Sequence, residues 1–195
     1  MTSPAESEDT TVRNTALLLL DCQPAVLSAL PDTGPLLDRL ERAVAATRAR
    51  GGTVAHVRTA FTEDDWAAVP AGNAVFAAVA RHRALHHEDP ATAFHPQLAP
   101  REGDLVARKT RVSALSGTDL DRRLRARGID ALIVAGLTTG GAVLSTVLDA
   151  SDRDYRLRVL SDGTADPDPE VHALVLHRVL PPRAEPVTFA ELFDR

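Results

Sequence analysis

The stretch DALIVAGLTTGGAVLSTVLDASDRDYRLRVLSD, residues 130–162, decides the fold of this chain. DALIVAG (130–136) is apolar without alternation, the mark of a strand buried on both faces of a parallel sheet. The glycine-rich turn that follows leads into a helical pattern over 140–153, and LRVLSD (157–162) reads as the next strand. Strand, tight turn, helix and second buried strand make a βαβ unit, whose crossover is right-handed.

The same alternation extends in both directions. ALLLLD (16–21) is a run of five apolar residues ended by an acid, and TVAHVR (53–58) and DLVARK (104–109) read as further strands. In LLDRLERAVAATRARGG, Leu36, Leu37, Leu40, Val44 and Thr47 fall on one helical face, and Gly51-Gly52 stop the helix. A helix from Asp119 to Gly128 is entered through GTDLD, another covers 169–180, and PVTFAELF (186–193) is a short terminal strand and turn. The segment 60–103 is broken by Pro70, Pro90, Pro96 and Pro100, with one helix expected near 73–84. The pattern predicts an α/β protein: a three-layer α/β/α sandwich around a mainly parallel six-stranded sheet, Rossmann-like in layout. Residues 1–13, polar and rich in Ser, Thr and Glu, are expected to form a disordered tail, and 14–195 a single domain.

Composition narrows the partners. A net charge of −5 with interleaved acids and arginines argues against nucleic acid. No window approaches the roughly 18 apolar residues of a membrane span, and the polar start of the chain lacks signal-peptide features, so a cytoplasmic location is expected. The single cysteine, Cys22, excludes an intrachain disulfide and a CxxC site. GxGxxG, GxxxxGK[ST] and GxSxG are all absent, so the sequence calls for no cofactor and offers no usual serine nucleophile. His82 and His86 stand four residues apart, but HExxH is absent, the segment is proline-broken and His86 and His87 are expected to diverge; no metal is assigned.

Right-handed crossovers place the ligand-binding loops at the carboxyl ends of the strands. That edge collects Asp21, Arg58, Lys109 and the AGLTT turn from separate segments. Asp21 follows four leucines, so desolvation would raise its pKa and suit it to acid–base work; the alternative is an aspartate capping the next turn. A lysine after a strand is more often exposed than not, yet Lys109 converging with Asp21 would pair with it and stabilise negative charge. The glycines of GLTTGGA let backbone approach a ligand closely and offer amides at a helix start.

These residues resemble the isochorismatase-like hydrolase superfamily. ALLLLDCQ is similar to its opening strand–acid–Gln motif, HVR at 56–58 to its second strand, and residues 107–163 to its most characteristic stretch, the likeness covering about 14–193. The family's triad is mostly Asp, Lys and Cys; Asp and Lys carry over to Asp21 and Lys109, whereas the Cys position falls on Ala142, six residues after Gly136. The resemblance implies a substrate pocket involving Gln23, Arg58, Leu115, Leu137, Thr138 and Thr139, a cis peptide at Leu137-Thr138, and a homo-oligomer. Leu115 stands where relatives often carry a phenylalanine. It also implies a hydrolase acting on a small, anionic metabolite by Asp21 acid–base chemistry without a thiol, as in enol-ether hydrolysis. The alternative is a non-catalytic paralogue that binds a small molecule or serves assembly.

Overall fold

The computed structural model describes residues 14–194; the segment 1–13 lies outside them. β1 (Thr15–Leu20) runs between β2 (Thr53–Thr59) and β4 (Ala131–Leu137). β3 (Leu105–Lys109) lies beyond β2, and β5 (Arg156–Ala165) and β6 (Glu185–Val187) lie beyond β4. The resulting six-stranded sheet has the order β3-β2-β1-β4-β5-β6, and every pairing is parallel. In its register Leu18 stands opposite both Ala55 and Val134. Leu17 to Leu20 are each at most 2% exposed, and burial of each contributes about 1.5–3 kcal/mol.

Period-two alternation divides β1 between the two outer layers. Ala16, Leu18 and Leu20 join the core beneath α5 (Leu120–Ala126), α6 (Leu144–Ser151) and α7 (Pro169–Leu174). Leu17 and Leu19 join the core beneath α2 (Gly34–Ala49) and α8 (Phe189–Phe193). On α2 the buried face is Leu37, Leu40, Ala43, Val44 and Thr47. Leu36, placed on that face from the sequence, is only half-buried. A third cluster, Phe61, Trp66 and Phe76, organises the irregular segment after β2.

Several boundaries differ from the sequence expectation. The short helix α1 (Pro24–Leu27) follows β1 directly. The helix expected near 73–84 is only α4 (Ala77–Arg81), preceded by α3 (Glu63–Ala67). A capping box between Thr62 and Asp65 starts α3, a T-x-x-D signal present in the sequence. The helices over 140–153 and 169–180 each contain a π-helical turn, Thr139–Val143 ahead of α6 and Val175–Val179 behind α7. The terminal segment forms a three-residue strand and a helix, because Thr188 and Glu191 build a second capping box. Among the described residues, no helix is long and apolar enough to cross a membrane.

The strand order reverses direction between β1 and β4. In open parallel sheets the crevice outside the carboxyl ends of two such strands is the place for a ligand. Gly136, at the end of β4, pairs with Leu20 and has φ +107°; a Cβ there would lie 2.2 Å from the Leu20 carbonyl oxygen. Only glycine lets the two strand ends approach so closely.

Candidate active site

Asp21 follows the last residue of β1 and has φ +51°, the left-handed region that Asp enters more readily than most side chains. Its amide still donates to the Val57 carbonyl at 2.9 Å, so the turn is made while the residue remains tied to β2. The carboxylate meets Lys109 and Thr59, which pair with each other across β2 and β3. Lys109 Nζ lies 2.8 Å from Asp21 Oδ2, and Thr59 Oγ1 donates to Asp21 Oδ1 at 3.0 Å. Lys109 Nζ also donates to Thr59 Oγ1 at 2.6 Å and to the Arg111 carbonyl at 3.3 Å. All three ammonium protons are thereby engaged, and Lys109 steers Asp21 instead of reaching outward.

Asp21 and Lys109 are 6% and 2% exposed. Burial pushes the Asp21 pKa above the usual carboxylate value, and the Lys109 charge and the bonds from Lys109 and Thr59 only partly oppose this. This shift favours the protonated form of the carboxyl. This supports general acid–base chemistry.

Thr59 was missed from sequence because the strand was ended at Arg58. A one-residue difference in a strand selects the opposite face. Arg58 points away from the Lys109 side; its guanidinium donates to the His87 carbonyl at 3.2 Å and the Thr92 carbonyl at 3.0 Å. Through Nη1, Arg58 ties β2 to the 87–92 loop. Gln23 is also engaged in the fold. Its amide donates to the carbonyls of Thr59 (2.9 Å) and Thr92 (2.8 Å) and accepts from the Thr59 amide (2.8 Å), clamping the end of β2.

The turn after β4 contains a cis peptide at Leu137-Thr138. Leu137 is buried on the α2 side of the sheet, whereas Leu115 and Ala142, 3% and 4% exposed, belong to the core on the Lys109 side. Thr138 is half-buried, and its carbonyl accepts from the amides of Gly141 and Val143, both at 3.1 Å. Thr139 is wholly buried with Oγ1 2.8 Å from His172 Nδ1. The Gly140 amide, one of the donors expected to face a ligand, instead donates to Asp166 Oδ2 at 2.8 Å. Neither His172 nor Asp166 was singled out from the sequence. Thr146 is occupied too, its hydroxyl accepting from the Ala114 amide at 3.0 Å.

The chain's single thiol does not face this site. Cys22 lies in the core beneath α2, donates weakly to the Leu20 carbonyl at 3.6 Å, and has its pKa pushed up to about 12 by burial and the neighbouring Asp21 charge. As to metals, His86, His87 and Glu88 bring ligand atoms within 4.8 Å of one another, with the two rings 4.7 Å apart between centroids and not diverging as expected. Glu88 is exposed, and none of the three takes part in the Asp21–Lys109–Thr59 triangle.

An all-parallel sandwich with a buried Asp–Lys pair at its switch point defines a class, and comparison with known proteins gives it a name. Residues 15–191 match the isochorismatase domain. The chain belongs to the isochorismatase family of hydrolases. It is 36% identical over 148 residues to the ureidoacrylate amidohydrolase RutB of Methylorubrum extorquens, covering 70% of this chain and 60% of that relative. The match therefore spans about 60% of that protein's length. Among solved structures, a cysteine hydrolase from Pseudomonas syringae pv. phaseolicola superposes with a TM-score of 0.81 at 26% identity, covering 94% of this chain and 92% of the other. N-carbamoylsarcosine amidase from Thermoplasma acidophilum gives 0.75 at 27% identity, covering 91% and 97%.

Proposed function

We propose that this isochorismatase-family hydrolase cleaves a small metabolite by proton transfer at Asp21, with water and not a thiol as the nucleophile. One observation carries the reading: the buried Asp21–Lys109 pair, 2.8 Å apart at the switch point, on the face of the sheet opposite the chain's single cysteine. In this reading Ala142 occupies the position where relatives carry the nucleophilic cysteine, and Lys109 and Thr59 fix the carboxyl of Asp21.

Two bond classes need no more than this. With an enol ether, protonated Asp21 delivers its proton to the vinyl carbon, and water adds to the resulting oxocarbenium ion as the Asp21 carboxylate takes a proton from it. The hemiketal then collapses, its C–O bond breaking as that proton passes to the departing alcohol oxygen and the carbonyl forms. With an amide or ureido group, ionised Asp21 removes a proton from water as it attacks the carbonyl carbon, then returns it to the leaving nitrogen. The names of the amidohydrolase relatives favour the second bond, and the raised Asp21 pKa favours the first.

The test is hydrolysis of isochorismate, read as pyruvate release, and of ureidoacrylate and N-carbamoylsarcosine, read as ammonia release. Wild type is compared with Asp21→Asn and Cys22→Ala. Turnover of one compound by wild type and Cys22→Ala, absent in Asp21→Asn, is the expected result. Activity lost with Cys22, or kept without Asp21, overturns it. Failure of wild type on all three compounds favours the paralogue that binds a small molecule or serves assembly.

A further inference from the structure

The turn from Thr138 to Val143 holds two adjacent glycines and a π-helical turn, closed by the amides of Gly141 and Val143 on the Thr138 carbonyl. Two side chains from outside tie it down. Thr139 Oγ1 bonds His172 Nδ1 at 2.8 Å, and the Gly140 amide donates to Asp166 Oδ2 at 2.8 Å. Packing supplies a third constraint, because a Cβ on Gly140 would lie 2.5 Å from Val171 Cγ1. The start of α7 therefore rests directly on the backbone of the turn.

The anchors are themselves anchored. Asp166 Oδ1 accepts from the Asp168 amide at 3.2 Å, and Asp168 caps α7 by accepting from the amides of Glu170 (2.8 Å) and Val171 (3.2 Å). The His172 amide donates to the Asp168 carbonyl at 3.0 Å. Asp166, Asp168 and the first turn of α7 thus form one rigid piece whose outward bonds end on Thr139 and Gly140. Burial lowers the His172 pKa, with the Asp166 charge opposing and His177 assisting. In the neutral ring Nδ1 bonds the Thr139 hydroxyl in either tautomer, accepting from it when the proton is on Nε2 and donating to it when the proton is on Nδ1.

Resting on the proposed reading of the site, we infer that His172 and Asp166 are positioning residues, which lock the Thr138–Ala142 turn in the geometry that receives substrate beside Asp21. Neither bonds to Asp21, Lys109 or Thr59, so both act through the turn. The turn starts immediately after β4, whose end pairs with Leu20, the residue before Asp21. A small displacement there moves the backbone against which the reacting group would lie, and misplacement by about 1 Å can cost about 100-fold in rate.

The test uses His172→Ala, His172→Asn, Thr139→Val and the Thr139→Val/His172→Ala double variant. They are assayed on whichever of isochorismate, ureidoacrylate and N-carbamoylsarcosine wild type turns over. Asn presents an amide where His presents Nδ1, with both an acceptor oxygen and a donor nitrogen, so it restores a partner for the Thr139 hydroxyl. His172→Ala and Thr139→Val should lower kcat by about 10- to 100-fold with KM little changed. His172→Asn should recover most of the loss, and the double variant should be no worse than either single one. Amide hydrogen exchange gives a reading that needs no substrate: residues 140–143 should exchange about tenfold faster in His172→Ala, with the strands unchanged. If wild type turns over none of the compounds, faster exchange confined to this turn still supports the clamp, while the catalytic reading falls separately. Wild-type exchange in His172→Ala, or equal kcat losses in the Ala and Asn variants, overturns the inference.

Discussion

Asp21 and Asp104 are two buried carboxylates at opposite ends of the sheet, with side chains 9% and 7% exposed. Asp21 follows the carboxyl end of β1, and Asp104 immediately precedes β3. Burial is the largest influence on both and raises both, yet their net shifts have opposite signs. Asp104 is bonded by the Arg48 guanidinium, by the Arg101 amide at 2.8 Å and by His56 Nε2 at 3.1 Å, which together pull its pKa below the usual range. Asp21 has one ammonium and one hydroxyl, and burial wins. At Asp21 deep burial outweighs the few groups that bond it, whereas at Asp104, less deeply buried as a whole residue and bonded by three others, the donors prevail. Asp104 staples the end of α2 to β2 and β3, whereas, among the described residues, the Asp21 carboxylate is bonded only by Lys109 and Thr59 beyond its own turn.

Breaking each end should give different signatures. Asp21→Asn should produce the largest effect on rate, a loss of about 10²–10⁴-fold in turnover, measured on the compound identified by the hydrolysis panel. Lys109→Ala should lower stability. It removes the charge and hydrogen bond that oppose burial, so Asp21 takes up a proton more readily and one hydrogen-bonded partner is lost, at roughly 1–3 kcal/mol by urea unfolding. Asp104→Asn should cost roughly 1–3 kcal/mol and leave turnover intact, since its partners lie at the other end of the strands.

The pH dependence separates the two acids further. Because the folded-state pKa of Asp104 is lowered, its stabilising contribution is present above the unfolded value near 3.8 and disappears as pH falls through the folded value. Asp21 has the opposite sign: its contribution is present below about 3.8 and is lost as pH rises through the raised folded value. Urea-unfolding free energies of Asp104→Asn across the acid range should therefore lose part of the wild-type rise with pH. The smallest expected effect is Thr59→Val, about 1 kcal/mol of stability, together with a further rise in the Asp21 pKa because a bond to its ionised form is gone.

The sequence was informative where burial acts on both faces. The unalternating runs at 16–20 and 130–136 identify central parallel strands, and the edge that gathers Asp21, Lys109 and the β4 turn follows from right-handed crossovers. The same lack of alternation hides where such strands stop. β2 runs one residue beyond Arg58, which brings Thr59 to Lys109 and turns Arg58 to the other face. β5 continues to Ala165, past a register shift opposite Val134 and Gly136, and so delivers Asp166 to the turn. His172 left no mark because its partner, Thr139, is 33 residues away and α7 shows only ordinary helical spacing. Gln23 is a contact of long range too, its amide reaching the carbonyls of Thr59 and Thr92.

The most direct test of the contrast at the centre of this account is a carbon-13 NMR titration of the aspartate side-chain carboxyls, with Asp21→Asn and Asp104→Asn supplying the assignments. Asp21 should titrate above, and Asp104 below, the usual value near 3.8. An Asp21 that titrates at or below that value would be a second structural staple, and the proposed proton transfer at the switch point of the sheet would lose its acid.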